Sequence, residues 1–516
     1  MNTNFPECTN IFVVNRIVEN ITGLNQAMLQ RARLFYEHKG QETKILTLRF
    51  DPSHYINLEE ELYSKKKINE GIQILNLYEF FKGQTNKELP RVVHPLDETT
   101  YNIEKNKNAY RLYKNGLYIK YMKYSDSNEL VKVDYFNENR YCYKTEEFDN
   151  KGYLSRVVYN DYSNRKPRQE LYYRPDGTCY LSKWFEWNDE QKKNKLLRII
   201  RFNKNGETLK ILHSEDELKH HFFDCVLEKS RSPIFMIAEA RSIDKLVLNY
   251  TQENLYKIFV LHTMHLEDPN NVDSLFNSNH KVMLNSVDRM DGLVILTHKQ
   301  RQDIENRVGQ KDQITVIPHA FQSNSPEIPK AQSYDPKKIV MVARLNAQKS
   351  HDHAIKALAK AKHEVPDIKL VLVGDGENKE NIKHLIEELG VEDNVEMVGF
   401  SHNPSIYYQE AAFSILTSDY EGFGLVLLES LVNGCPVVSY DLKYGPSDII
   451  KDGMNGLLVE NKNIEQLADK MIELLRDNNL LTKLRRNANV SMLTEFNEDT
   501  FVNNWSNLYN SILLKK

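Results

Sequence analysis

The sequence predicts an α/β protein of two doubly wound domains, with an antiparallel β-meander inserted in the first. Three observations carry this. Short apolar, β-branched runs alternate with amphipathic helical stretches towards both ends of the chain, which is the pattern of parallel sheets covered by helices. Between about residue 90 and residue 212 helical periods disappear and short tyrosine-rich alternating runs replace them, as in hairpin-linked strands. The length, 516 residues, exceeds what one hydrophobic core serves, so two or three domains are expected.

Asn10-Ile-Phe-Val-Val-Asn15 reads as the first buried strand. A polar loop, Glu19-Asn-Ile-Thr22-Gly23, leads into a helix from Leu24 to about His38, with Met28, Leu29, Ala32 and Phe35 on one face, and Lys44–Phe50 is the next strand. Within the meander Tyr118-Ile-Lys-Tyr-Met-Lys-Tyr124 typifies the strands, and Asp149-Asn-Lys-Gly152, Pro175-Asp-Gly-Thr178 and Asn203-Lys-Asn-Gly206 are turns between them. Alternation resumes with strands at Ser232–Ala238, Tyr256–Leu261, Gly292–Leu296 and Ile314–Pro318. Phe321–Pro336, polar and containing three prolines, reads as a linker. Strands at Lys338–Ala343, Lys369–Val373, Asn394–Val398, Phe413–Leu416 and Pro436–Ser439 then build the second sheet. The expected division is residues 1–90 and 213–325 for the first domain and 91–212 for the insertion. The second domain covers 326–495, and a C-terminal helix, 496–516, packs back on the first domain.

Composition narrows the class. The net charge of −4 speaks against nucleic acid as a partner, and five scattered cysteines suggest neither a disulfide framework nor a zinc site. A reducing cytoplasm suits such a chain. No stretch is long and apolar enough to read as a membrane span, while peripheral attachment at the inner face of the membrane stays open. Charge and tyrosine are unevenly spread. Residues 104–210 hold 23 Lys/Arg against 15 Asp/Glu, a local +8, and 14 of the 28 tyrosines. A basic, tyrosine-rich sheet meets a polyanionic or carbohydrate-bearing partner well, although Tyr and Lys also simply suit half-exposed strands and edges.

Ligands of doubly wound sheets lie beyond the carboxyl ends of the strands, so chemistry is expected in the loops there. The sharpest constellation is Ser418-Asp-Tyr-Glu421-Gly-Phe-Gly424-Leu-Val-Leu-Leu-Glu429, a strand end, a glycine-containing turn and a helix start. Amides at that start suit an anion, and Glu421 and Glu429 are spaced to flank one ligand. Arg344 and Lys349, on the loop after the first strand of the second sheet, suit a diphosphate as a planar fork and a point charge. His262 and His265 follow an apolar strand of the first domain at the cleft mouth. Gly374-Asp-Gly376-Glu377 is a weaker feature that fits a phosphate loop or a tight strand-to-helix turn.

Glu421 and Glu429 with the glycines between them resemble the E-x7-E motif of retaining GT-B glycosyltransferases, whose fold is two Rossmann-like domains facing across a cleft. The resemblance implies a hexosyltransferase that uses a UDP-sugar as co-substrate and needs no metal or other cofactor. Glu421 would lie by the donor sugar and Glu429 on the nucleotide ribose. Arg344 and Lys349 would neutralise the departing diphosphate, and His265, with His262 as the alternative, would contact the donor sugar. The amides of Phe423, Gly424 and Leu425 would meet sugar or phosphate oxygens, Gly23 the donor phosphate, and Val398–Ser401 the uracil. Relatives carry Gly-Gly where this chain has Thr22-Gly23. The insertion, with Tyr444-Gly-Pro-Ser-Asp448 and Asn455-Gly456-Leu-Leu-Val459, is similar to that of the Gram-positive wall teichoic acid α-glycosyltransferases and of related enzymes that glycosylate serine-aspartate or serine-rich repeat adhesins. An anionic polymer or repeat-protein acceptor, moved glucose or N-acetylglucosamine, and homo-oligomerisation through the insertion follow as expectations. A noncatalytic polymer-binding subunit and a sugar-nucleotide epimerase are the competing readings.

Overall fold

The structure, a computed structural model, describes residues 4–18, 23–53, 58–83, 89–228, 230, 233–271, 273–321 and 334–515. Residues 19–22 of the first loop and most of the expected linker, 322–333, lie outside the described residues.

Seven parallel strands form the first sheet, in the spatial order Ile314–Val316, Gly292–Ile295, Leu255–Val260, Ile234–Ala238, Thr9–Val14, Thr43–Thr47, Ile72–Asn76. Chain order reverses once, between Thr9–Val14 and Ile234–Ala238, which pair directly. The strands are apolar on both faces because both are covered. Phe12, Val14, Phe235 and Ile237 point into one core with helix Leu24–Lys39, while Ile11, Val13, Met236 and Ala238 point into another. The second sheet has the order Val395–Gly399, Lys369–Val373, Asp335–Val342, Ala411–Leu416, Val437–Tyr440, Gly456–Val459, again parallel with a single reversal, here between Asp335–Val342 and Ala411–Leu416. Strand Ile72–Asn76 and the short helices Leu58–Ser64 and Leu77–Lys82 are additions to the elements read from sequence. The last of these begins at a visible cap, since Asn76 Oδ1 accepts from the amides of Tyr78 (3.0 Å) and Glu79 (3.2 Å).

Between Asn102 and Leu212 ten antiparallel strands follow one another in chain order, from Asn102–Asn106 to Thr208–Leu212, each paired with the next. Their turns repeat one device. A side-chain oxygen of Asn137, Asp149 or Asn203 accepts amides two and four residues ahead, an Asx-turn that fixes each hairpin. The two halves of the meander are anchored differently. Tyr172, Tyr180, Leu181, Ile199 and Leu212 belong to the same core as Leu77, Tyr78 and Phe81 of the first domain. Tyr124, Leu130, Val133 and Phe148 form a separate small core at the other half.

Helix Glu498–Leu514 packs on the first sheet. Tyr509 stacks on Phe235 at 3.9 Å and its hydroxyl donates to Asn10 Oδ1 at 2.7 Å, and the Trp505 ring lies 4.7 Å from the Arg31 guanidinium carbon. Among the described residues no helix is long and apolar enough to cross a membrane. Replacing the fully buried Trp505 by alanine removes a large side chain from a closed core, and a loss of about 3–5 kcal/mol is expected in urea unfolding followed by a first-domain probe.

Candidate functional site

Adjacent strands whose connections leave the sheet in opposite directions open a crevice at each strand-order reversal. In the second sheet the loops beside it hold Arg344, Lys349 and Glu421. In the first, Gly23 follows a strand at the reversal, while His262 and His265 follow Leu255–Val260, one strand further out. In the second domain strand Asp335–Val342 runs out through Arg344 to a turn at Ala347–Lys349, and Ser350, with φ 46°, starts helix His351–Ala361. Strand Ala411–Leu416 runs into residues 417–424 and helix Leu425–Val432. The two loops are stitched together. Thr417 Oγ1 donates to the carbonyls of Lys349 (3.1 Å) and Ser350 (3.0 Å), the Asp419 amide to Gln348 O (2.8 Å) and Gln348 Nε2 to Tyr420 O (2.9 Å). Lys349 Nζ thereby reaches Glu421 Oε1 at 2.5 Å, and the same oxygen accepts from Ser418 Oγ at 2.7 Å. The two charged side chains are only 14% and 11% exposed, so a charge-assisted bond fixes both.

Arg344 is exposed on the loop that carries Lys349, and no ion pair is found for it among the described residues. Gly424 (φ 87°) opens helix Leu425–Val432 with no side chain capping its first turn, the condition for an anion at Leu425 and the amides beside it. The Phe423 ring is buried edge-on to His319, 5.3 Å away. Glu429 lies in the second turn, and burial pushes its carboxyl up to about 7. The Gly374-Asp-Gly376 loop is shaped by close packing, since a Cβ on Gly374 would meet Ala343 O at 1.9 Å and one on Gly376 Leu345 O at 2.3 Å. These glycines let the loop press on the backbone that carries Arg344, as a tight strand-to-helix turn requires. Strand Val395–Gly399 ends beside it, the Gly374 amide donating to Gly399 O at 2.8 Å, and Phe400 is 63% exposed.

In the first domain Gly23 (φ 55°) starts helix Leu24–Lys39. At the reversal of this sheet the Glu239 amide donates to Val13 O at 3.1 Å. Its carboxylate is fully buried, paired through Oε1 with Arg31 and through Oε2 with His262 Nε2 at 3.1 Å. His262 and His319 stack in parallel, 5.8 Å apart. Burial, with nearby cations, holds His262 well below the usual imidazole range and brings His319 down to about 3. His265 lies elsewhere, fully buried in the seam between the domains. Its ring stacks on Tyr444 at 5.8 Å and Gln300 Nε2 is 3.4 Å from its Nδ1. Burial lowers it to about 3.

The domains meet at Gly422. A Cβ there would lie 2.1 Å from His262 O and 2.8 Å from Thr263 Cα, so only glycine lets the Glu421 loop touch the His262 loop. The structure thus brings Lys349, Ser418 and Glu421 into one group, His262 and Glu239 into a second, and sets the backbones of the two in contact. Sequence reasoning did not assign Ser418, Thr417, Glu239 or Arg31. Glu239 follows a strand at its carboxyl end, the same signal that marked Arg344, and Arg31 is a charge between Met28, Leu29 and Ala32 in a buried helix. Among the described residues no group of three or more His, Cys, Asp or Glu is arranged to hold a metal ion.

The Glu429 carboxyl has a folded pKa above its unfolded one, so the folded chain holds its proton more tightly between the ordinary value of 4.5 and about 7. Ionisation therefore costs stability as pH rises through that window. Glu429→Gln should gain on the native chain by about 2–3 kcal/mol between about pH 5 and pH 8, read as a growing difference in Tm without ligand; a constant difference would contradict it.

Residues 324–490 match the family described as "Glycosyl transferases group 1", and residues 11–203 that described as "Glycosyl transferase 1 domain A". The poly(glycerol-phosphate) alpha-glucosyltransferase of Bacillus subtilis (strain 168) is 29% identical over 98% of this chain and 76% of its own. The poly(ribitol-phosphate) alpha-N-acetylglucosaminyltransferase of Staphylococcus aureus (strain COL) is 26% identical over 97% of this chain and 99% of its own. The crystal structure of a mutant of S. aureus TarM in complex with fondaparinux, alpha-GlcNAc-glycerol and UDP superposes with a TM-score of 0.81 at 22% identity, covering 98% of this chain and 100% of that one. The chain has the GT-B fold of that structure, carries a glycosyl transferases group 1 domain and, with polymer α-glycosyltransferases as homologues over nearly all of its own residues, is a hexosyltransferase.

Proposed function

We propose that the protein is a retaining, metal-independent transferase that moves glucose or N-acetylglucosamine from a UDP-sugar to hydroxyls of an anionic polymer, wall teichoic acid. The Lys349–Glu421 pair, held at the strand-order reversal of the second sheet and set against the His262 backbone by Gly422, is the observation that carries this reading. Departure of a nucleoside diphosphate needs cationic stabilisation, and preorganised charge is usually the largest contribution a protein makes. Lys349, Arg344 and the uncapped helix start at Gly424 supply it without a metal. The anomeric carbon loses its bond to the diphosphate oxygen and gains one to the acceptor oxygen on the same face. The acceptor proton passes to the departing phosphate. Glu421 orients the sugar, and Glu429 faces the ribose. Of the two histidines we assign the donor contact to His262, which Glu239 fixes at the first reversal, and give His265 the packing role that its burial against Tyr444 suggests.

The acceptor part of the proposal rests on the named relatives and on the meander. Its local charge of +8, with Tyr159 and Tyr162 exposed, suits an anionic polymer, and exposed Leu209 and Ile211 on the edge strand Thr208–Leu212 suit contact between copies. The meander is thus proposed as polymer-holding and oligomerising surface. Five free cysteines fit a cytoplasmic enzyme at the inner face of the membrane.

Products identified by mass decide between substrates: UDP-glucose and UDP-N-acetylglucosamine, each against ribitol-phosphate polymer, glycerol-phosphate polymer and a serine-aspartate peptide. Transfer to a polyol-phosphate polymer is expected, whereas transfer to the peptide alone would move the acceptor to adhesin repeats. Lys349→Ala and Glu421→Ala should each cut turnover by about 10²–10³-fold while the chain stays folded. Full activity in both variants would end the catalytic reading and favour a polymer-binding subunit.

A further inference from the structure

Helix His298–Val308 of the first domain touches residues 441–448 of the second at three points. The His298 amide donates to Asp448 Oδ1 at 2.8 Å, Lys299 Nζ lies 2.9 Å from Asp441 Oδ1, and Asp303 Oδ2 takes both Lys443 Nζ and the Tyr444 hydroxyl at 2.6 Å. The same two residues, Lys443 and Tyr444, are bonded through their backbones to Glu421. The Glu421 amide donates to Lys443 O at 3.0 Å and the Tyr444 amide to Glu421 O at 2.9 Å. One residue further on, Gly445 lies so close to Phe423 that a Cβ would sit 1.7 Å from its carbonyl oxygen. Residues 443–445 therefore run alongside 421–423 as a short ladder, and Asp303 grips that ladder from the opposite domain.

We infer that Asp303 is a positioning residue for Glu421, setting that loop from across the domain seam through Lys443 and Tyr444. The inference rests on the reading of Glu421 as the residue that orients the donor sugar. Lys349 and Ser418 hold the Glu421 carboxylate, but they belong to the same domain and fix it only relative to the second sheet. The Asp303 contacts relate it to the first domain. Tyr444 is fully buried and stacks on His265, so its ring has little room to drift and its hydroxyl transmits the position of the helix. The nucleotide side of the site, with Arg344, Lys349 and Glu429, has no bond to Asp303 among the described residues and meets Glu421 only through Lys349, which Thr417 and its own loop also hold. The consequence therefore falls on turnover far more than on nucleotide binding.

The test uses the full chain and whichever of UDP-glucose and UDP-N-acetylglucosamine it turns over. Asp303→Asn, with Tyr444→Phe as a second, milder variant, should lower kcat for UDP release about tenfold or more, since small misplacements of an orienting group carry costs of that size. The Kd for UDP, by calorimetry, should stay within about twofold of the native value. Unchanged kcat in both variants overturns the inference, and so does a loss of UDP affinity in step with kcat, which marks a general loss of structure. Glu421→Gln, run alongside, separates the two levels. Should it keep native turnover, the reading of Glu421 fails; should it lose turnover while both other variants keep it, only the role of Asp303 fails.

Discussion

Gly422 and the carbonyl of His262 lie closer than any side chain allows, and this contact governs what the two domains can do together. Each parallel sheet opens one crevice, where its strand order reverses, and each crevice alone is half a site. The second holds Lys349, Ser418 and Glu421, with Arg344 on the same loop, and the first holds Glu239 and His262. A methyl group at position 422 would force the halves apart, and with them the Glu421 backbone. Groups that must act on one small ligand tolerate little such displacement.

Behind the first crevice runs a chain of buried polar contacts. Arg31, on the first helix, pairs with Glu239, and Glu239 with His262. Charges this deep persist only when each is matched, and Arg31 has a further partner in the Trp505 and Phe12 rings on either side. The helix that brings Trp505 enters after the whole second domain has been traversed. It closes the core over Arg31 and ties the two domains covalently a second time. The neighbouring imidazoles are displaced downward by burial, His319 to about 3 and His280 to about 4, so they add no charge beside the Arg31–Glu239 pair.

The tyrosine excess proves to have several causes. Tyr172 and Tyr180 are core residues that join the meander to the first domain. Others carry cations on their faces: Lys144 lies 4.1 Å from the Tyr135 ring centre and Arg165 4.4 Å from that of Tyr141. Much of the basic charge is also matched by acids across the strands, as in Arg156 with Glu147 and Arg111 with Glu104. Lysine, arginine and tyrosine together are therefore partly a way of building a wide antiparallel sheet with two wet surfaces. What is left for a partner is the unmatched surplus and the exposed rings of Tyr159 and Tyr162.

Sequence alone determined what depends on neighbours along the chain. Apolar period and β-branched runs marked most strands of both parallel sheets, Asx and glycine turns marked the meander, and the glycine-flanked Glu421 and Glu429 marked a loop-to-helix site, because each is a local signal. The carboxyl-end rule then pointed to Arg344, Lys349 and the His262–His265 segment. Only the tertiary structure decided which of these meet. His262 and His265 are three residues apart, with His265 the one expected at the donor sugar and His262 its alternative, yet His262 joins Glu239 and His265 joins Tyr444. Asp303 and Arg31 carry no motif, since their partners are 140 and 208 residues away. Long-range pairing is set by how whole domains pack, and no local pattern encodes it.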